Sequence, residues 1–154
     1  MSTRISPGRI LSDQRTHLIE LYESVQKAAA DAGLDPLLLE LLKSRVSQIN
    51  GCAFCLDMHA REARELGETE RRIYLLPAWR EAPDYTEQER AALALAEAMT
   101  RIGQTQDVPD DVYEEATRAF TEQQYAALVW AVTIMNSFNR LNVTARTPVP
   151  EPAR

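Results

Sequence analysis

Apolar residues recur every three or four positions along most of this 154-residue chain, and nowhere do they alternate with period two for long enough to build a sheet. Leu18, Leu21, Tyr22 and Val25 share one helical face, and a second helix carries Leu38, Leu41, Leu42, Arg45 and Val46. Residues with known helix-end chemistry separate these stretches. Ser12 and Asp13 are placed to cap a first helix that runs to about Ala32 and stops at Gly33. Asp35 caps the second, with Pro36 at the first helical position, where no N–H is needed. Asn50-Gly51 is a turn signal, after which a third helix opens near Cys52 and runs to Leu66, closed by Gly67. A short fourth helix follows Thr69 and breaks at Pro77, and Trp79 to Tyr85 is a connector. Thr86 with Glu89, and Thr121 with Gln124, are capping-box pairs opening helices that reach about Ile102 and Leu141. Between them lie a polar loop over 103–108 and a helix starting at Pro109.

Ala, Leu, Glu, Arg and Gln, all good helix formers, dominate the chain, which has only five glycines. The expectation is an all-α bundle of about six to seven helices in one domain over 12–146. A flexible arm is expected at 1–11, and a disordered tail carrying Pro148, Pro150 and Pro152 at 147–154. The stretch Tyr125 to Phe138 is apolar around more than one face, which predicts a homo-oligomer.

Net charge is -6, and Lys and Arg are mixed with Glu along nearly every segment, so no basic stripe for nucleic acid is present. The first residues lack the apolar core of a secretory signal, and Tyr125 to Met135 is about half the length needed to span a bilayer. These features predict a cytoplasmic protein with no membrane or nucleic-acid partner.

Both cysteines fall in one short segment, Cys52-Ala53-Phe54-Cys55. A secreted disulfide scaffold spreads its cysteines, whereas a close pair in a cytosolic chain points to redox chemistry or metal binding. At the start of a helix the pair meets unpaired N–H groups and a partial positive charge, which favour thiolate over thiol. His59 follows Cys55 by four residues and Cys52 by seven, so the three share a face, and the imidazole is placed to take the Cys55 proton. Glu40, twelve residues before Cys52, reaches His59 if the second and third helices pack antiparallel. Zinc is the chemical competitor, with Cys52, Cys55, His59 and Glu40 as ligands, although no second Cys or His pair exists. A c-type haem needs His directly after the second cysteine, where Leu56 stands. The expectation is therefore no cofactor and no metal.

Glu40, eleven residues, Cys52-x-x-Cys55, three residues and His59 together resemble the signature of the alkylhydroperoxidase D (AhpD-like) branch of the carboxymuconolactone decarboxylase family. Ser47-Gln48-Ile49-Asn50-Gly51, Asp57-Met58-His59 and Gly67-Glu68-Thr69-Glu70 are similar to that family too, and the likeness extends over roughly residues 17 to 143. The resemblance implies an AhpD-like helical bundle, commonly a trimer or hexamer, and thiol peroxidase activity. It implies that Cys55 attacks a hydroperoxide and becomes a sulfenic acid, that Cys52 resolves it to a disulfide, and that Glu40 and His59 relay the proton. A dithiol or protein reductant then restores the thiols. By position at the helix cap Cys52 is the better nucleophile, but His59 lies one turn from Cys55, which assigns the attack to Cys55. Phe54 stands where well-described hydroperoxidases carry a histidine, which predicts weaker peroxidase activity. Members typical of the decarboxylase branch lack the cysteine pair, which argues against lactone decarboxylation. The alternatives on the same scaffold are a non-enzymatic redox sensor and a metal-stabilised oligomer.

Overall fold

The computed structural model describes residues 4–151, and all of its regular structure is helical. The main elements are α2 (Ser12–Asp31), α3 (Pro36–Asn50), α4 (Ala53–Glu65), α5 (Glu70–Leu75), α6 (Glu87–Thr100), α8 (Asp110–Ala119) and α9 (Glu122–Ala145), with two single turns, α1 (Pro7–Ile10) and α7 (Ile102–Thr105). A 3-10 turn over Leu76–Ala78 follows α5. Most starts are made as the sequence predicts. Asp35 accepts a hydrogen bond from the Leu37 N–H at 2.9 Å, and both capping boxes close reciprocally, Thr86 with Glu89 and Thr121 with Gln124.

Four local expectations differ from the structure. Ser12 and Asp13 lie inside α2, whose start makes no side-chain cap, because the α1 turn already feeds the chain into the helix. Part of the expected loose arm is thus a helical turn, with Pro7 at a position suited to it. The 103–108 loop begins with the α7 turn, and α9 runs on to Ala145 before Arg146 takes a left-handed conformation (φ 51). Met1 to Thr3 of the arm and Pro152 to Arg154 of the tail lie outside the described residues.

α3 is the axis of the fold. It packs against α4, α6 and α9, and its residues 38–47 are buried without a break. Leu42 and Val46 join Leu95 of α6 and Leu128 and Val132 of α9 in the main core, while Leu41 turns to a second cluster around Leu76, Trp79 and Leu93. A helix enclosed on all sides is normally apolar throughout, yet α3 carries Glu40, Lys43 and Arg45 within its buried stretch. A buried charge persists only when paired. Arg45 pairs with Glu97 of α6, 2.6 Å away, whose other oxygen is held by Arg80. Glu40 and Lys43 face the other way, toward α4 and α2. No described helix is long and apolar enough to cross a membrane.

Candidate active site

The site begins at the sharp turn between α3 and α4. Gly51 adopts φ 67, a left-handed conformation that suits glycine, and the Cys52 N–H bonds back to the Ser47 carbonyl at 3.0 Å. The chain reverses, so α4 packs antiparallel on α3. The turn is anchored to α9 by side-chain amides: Asn50 donates to Asn136 and Asn139, each at 2.9 Å, and Asn139 donates to the Ser47 hydroxyl at 3.1 Å.

Cys52 is the N-cap of α4, and its sulfur accepts the Cys55 N–H at 3.3 Å. The two cysteines are joined by a disulfide across a Cα–Cα distance of 5.3 Å, within the ordinary span for such a bridge. Both are buried, at 2% and 1% exposure. The Asn142 amide of α9 reaches the Cys55 sulfur at 3.6 Å, while the Thr147 hydroxyl donates to Asn142 Oδ1 at 2.9 Å and so fixes which end of the amide faces the sulfur.

His59 sits one turn along α4, also buried. Its Nδ1 lies 2.9 Å from Glu40 Oε2 and 3.0 Å from Glu62 Oε2. Ionised carboxylates only accept, so Nδ1 carries the hydrogen and Nε2 is the nitrogen left for proton exchange. Nε2 is buried and makes no hydrogen bond to any described residue. The second oxygen of Glu40 is bonded by the Lys43 ammonium, which also donates to the Tyr22 hydroxyl at 3.0 Å. Burial pulls the His59 pKa down, but the hydrogen bonds to Glu40 and Glu62 outweigh it and leave the imidazole above its ordinary value. The same contact with His59 holds the Glu62 carboxyl below the ordinary range. Burial likewise opposes the charge on Lys43, and Glu40 with Tyr22 more than restores it.

A cavity of about 580 Å³ opens onto this cluster between α2, α4, α9 and the α1 turn. Cys55 and His59 form part of its wall with Tyr22, Met58, Phe138 and Leu141, whereas Cys52 does not. Phe54 lines it as well and is half-buried.

The four residues singled out in the sequence therefore meet in one place: Cys52 with Cys55 in the disulfide, and His59 with Glu40 beside it. Glu40, His59 and Glu62 present donor atoms within 4.8 Å of one another, but the Lys43 ammonium already supplies the positive charge there, so the set suits protons better than a metal ion. Sequence reasoning passed over Lys43, Glu62, Tyr22 and Asn142. Helical spacing pointed to the first two, since Lys43 is three residues after Glu40 and Glu62 three after His59. Tyr22 and Asn142 arrive from distant helices and carry no such mark.

The family model for carboxymuconolactone decarboxylases matches residues 17–98, a span holding both cysteines, His59, and its two carboxylate partners. The chain belongs to the carboxymuconolactone decarboxylase family. It is 40% identical over 143 residues to the uncharacterized protein YdfG of Bacillus subtilis (strain 168), covering 93% of this chain and 94% of that one. Its fold is AhpD-like: a protein of unknown function from Agrobacterium tumefaciens, described as a candidate antioxidant defence protein AhpD, superposes with a TM-score of 0.89 at 37% identity, covering 98% of this chain and 100% of that one. The debrominase Bmp8 shares the fold at a TM-score of 0.76 and 18% identity, over 95% of this chain and 78% of its own.

Proposed function

We propose that this member of the family is a thiol peroxidase of AhpD type, a cytoplasmic disulfide oxidoreductase that reduces hydroperoxides at the expense of a dithiol. The observation that carries the reading is the placement of Cys55 and His59 together on the wall of one cavity, with the carboxylate of Glu40 behind the imidazole.

In the reduced protein the Cys55 thiol passes its proton to His59 Nε2. The thiolate attacks one oxygen of the hydroperoxide and the O–O bond breaks. The departing alkoxide takes the proton from His59 and leaves as an alcohol, and Cys55 becomes a sulfenic acid. The Cys52 thiol then attacks that sulfur; its proton and the expelled hydroxide form water, and the product is the Cys52–Cys55 disulfide. An external dithiol returns both thiols and is itself oxidised. Cys55 takes the first step because it faces the cavity, while Cys52 stands behind it at the helix cap. Glu40 holds the imidazole in the tautomer that leaves Nε2 free, the orienting part a carboxylate plays in a catalytic triad.

Peroxide consumption with dithiothreitol as reductant tests the reading. Turnover should occur in the wild type and be lost in Cys55→Ser, while Cys52→Ser should accumulate a sulfenic acid on Cys55 that dimedone traps. Trapping on Cys52 in Cys55→Ser instead would reverse the two roles. A disulfide that forms with peroxide but turns over no faster than free dithiothreitol would favour a redox sensor.

A further inference from the structure

The charges around His59 do not balance through Glu40 alone. Lys43 and Glu40 form a buried pair on α3, and their charges cancel. A protonated His59 beside that pair leaves one positive charge in a site where the ring and the ammonium are each 1% exposed. An uncompensated buried charge is costly, so the ring would shed its proton. Glu62 removes the imbalance. Its Oε2 lies 3.0 Å from the same Nδ1 that Glu40 contacts, and with both carboxylates ionised the four groups sum to zero only when His59 is a cation.

We infer that Glu62 is a positioning residue that sets the proton affinity of His59: its carboxylate stabilises the imidazolium formed when Nε2 takes up a proton, and so fixes the pH at which the Cys55 chemistry operates. Glu62 is suited to this because its side chain is 42% exposed, at the rim of the cavity, where it stays ionised at neutral pH while still bonding the buried ring. The buried Glu40 gives orientation and the half-exposed Glu62 gives charge.

The other groups near the ring do not supply that charge. On α3 it faces Glu40 and Lys43, and on its own helix Glu62 and the Cys55 sulfur. α2 brings Tyr22, Glu23 and Arg15 to the cavity, the α1 turn brings Arg9, and α9 brings no titratable group. Among these, only Glu40 and Glu62 bond the imidazole. The consequence for reactivity rests on the peroxidase reading above; the charge on the ring does not.

The test reads the ring directly. The chain has two histidines, so labelled imidazole signals in an NMR pH titration of the intact oxidised protein belong to His59 or to His17, which pairs with Glu20 on the exposed face of α2. In the wild type the His59 midpoint should lie above 6.5. Glu62→Gln keeps the shape and removes the charge, and should lower that midpoint by about one pH unit or more. Glu62→Asp keeps the charge on a shorter stem and should retain most of the wild-type value. An unchanged midpoint in folded Glu62→Gln, or equal shifts in the Gln and Asp variants, overturns the inference. If the Gln variant fails to fold, Glu62→Ala at this half-exposed position supplies the same reading. In the reduced protein the pH profile of Cys55 alkylation should move with the His59 midpoint. Loss of peroxide turnover in the wild type would reject the peroxidase reading and leave the titration result standing.

Discussion

The ammonium of Lys43 is bonded to the carboxylate of Glu40 one helical turn away, and both groups are shut off from solvent inside the fold. Such a pair costs desolvation and holds only while both partners are present. Lys43→Met should leave Glu40 facing His59 with no second cation and lose the bond to Tyr22, destabilising the protein by about 3–5 kcal/mol. Lys43→Met combined with Glu40→Gln should cost clearly less than the sum of the two singles, because the pair is removed together. Urea melts of the four proteins give the comparison; strict additivity would show that the contact carries no coupling.

This pair also marks where the sequence stopped being legible. The helices were readable because their ends carry local chemistry, as at Asp35-Pro36, Thr86-Glu89 and Thr121-Gln124, and because the capping partners are only a few residues away. The Cys52, Cys55 and His59 face was readable for the same reason, since helical spacing alone aligns it. Glu40 came chiefly from the family-like spacing to the cysteine pair, and its reach to His59 required an antiparallel α3–α4 hairpin, which the Gly51 turn supplies. Buried charges on α3 were harder to see, because Lys43 and Arg45 look like surface residues until other helices close over them, and only the fold brings Glu97 of α6 to Arg45. The caps at Ser12 and Asp13 failed because the turn at Pro7–Ile10 takes over that junction, and no single helix signal reports on what precedes it.

Removing the base or its orienting carboxylate should slow the peroxide step strongly. A free thiol titrates near ~8.5, a helix N-terminus adds up to about 2 kcal/mol, and the burial of Cys55 opposes its thiolate, so a base is needed to take the proton. His59→Ala and Glu40→Gln should each reduce turnover by roughly 10²-fold at pH 7, with the double variant little worse than either single. At pH 9 hydroxide substitutes for the missing base, so both should recover part of the loss. Full activity of Glu40→Gln at pH 7 removes Glu40 from the relay.

Stability should follow the charge on His59. Because the folded pKa lies above the unfolded value of 6.5, its contribution is complete below that pH and disappears as pH rises through the folded pKa. The oxidised wild type should therefore melt at progressively lower temperature as pH rises above 6.5, and His59→Ala should lack that component. Thermal melts across this range measure it; parallel curves for the two proteins would contradict the assignment.

Asn142 should matter to the reactive sulfur itself. Its Nδ2 donates toward Cys55 Sγ, and a donor aimed at a thiolate stabilises the charged form. Asn142→Ala should slow alkylation of reduced Cys55 near neutral pH by roughly tenfold, the scale of one hydrogen bond to a charged group. Thr147→Val frees the amide to rotate and should have a smaller effect in the same direction. An unaltered alkylation rate in Asn142→Ala would show that the contact is confined to the disulfide state.

The structure changes the grounds on which assembly is expected. The apolar stretch Tyr125 to Phe138 was expected to need partners on several sides, but Ala127, Leu128, Ala131, Val132, Ile134 and Met135 are already buried within one chain, against α2, α3, α6 and α8. What remains outside is narrower. Trp130 of α9 is 51% exposed, Tyr113 of α8 49% and Ile102 of α7 47%. Tyr113 and Ile102 border a shallow apolar groove of about 820 Å³ between α6, α8 and α9, with Val129 and Val108 in its wall. Trp130 instead borders a separate hollow between α2 and α9, so Tyr113 and Ile102 are the exposed apolar pair at this groove, and covering each with a second copy gives up to about 1.5–3 kcal/mol. We therefore expect a homo-oligomer whose interface includes Tyr113 and Ile102, and light scattering should report a multiple of 17.4 kDa. Tyr113→Lys with Ile102→Lys should shift the protein toward the single-chain mass while leaving its helical circular dichroism unchanged. A wild-type mass of one chain rejects oligomerisation, and an unchanged assembly in the double variant moves the interface elsewhere.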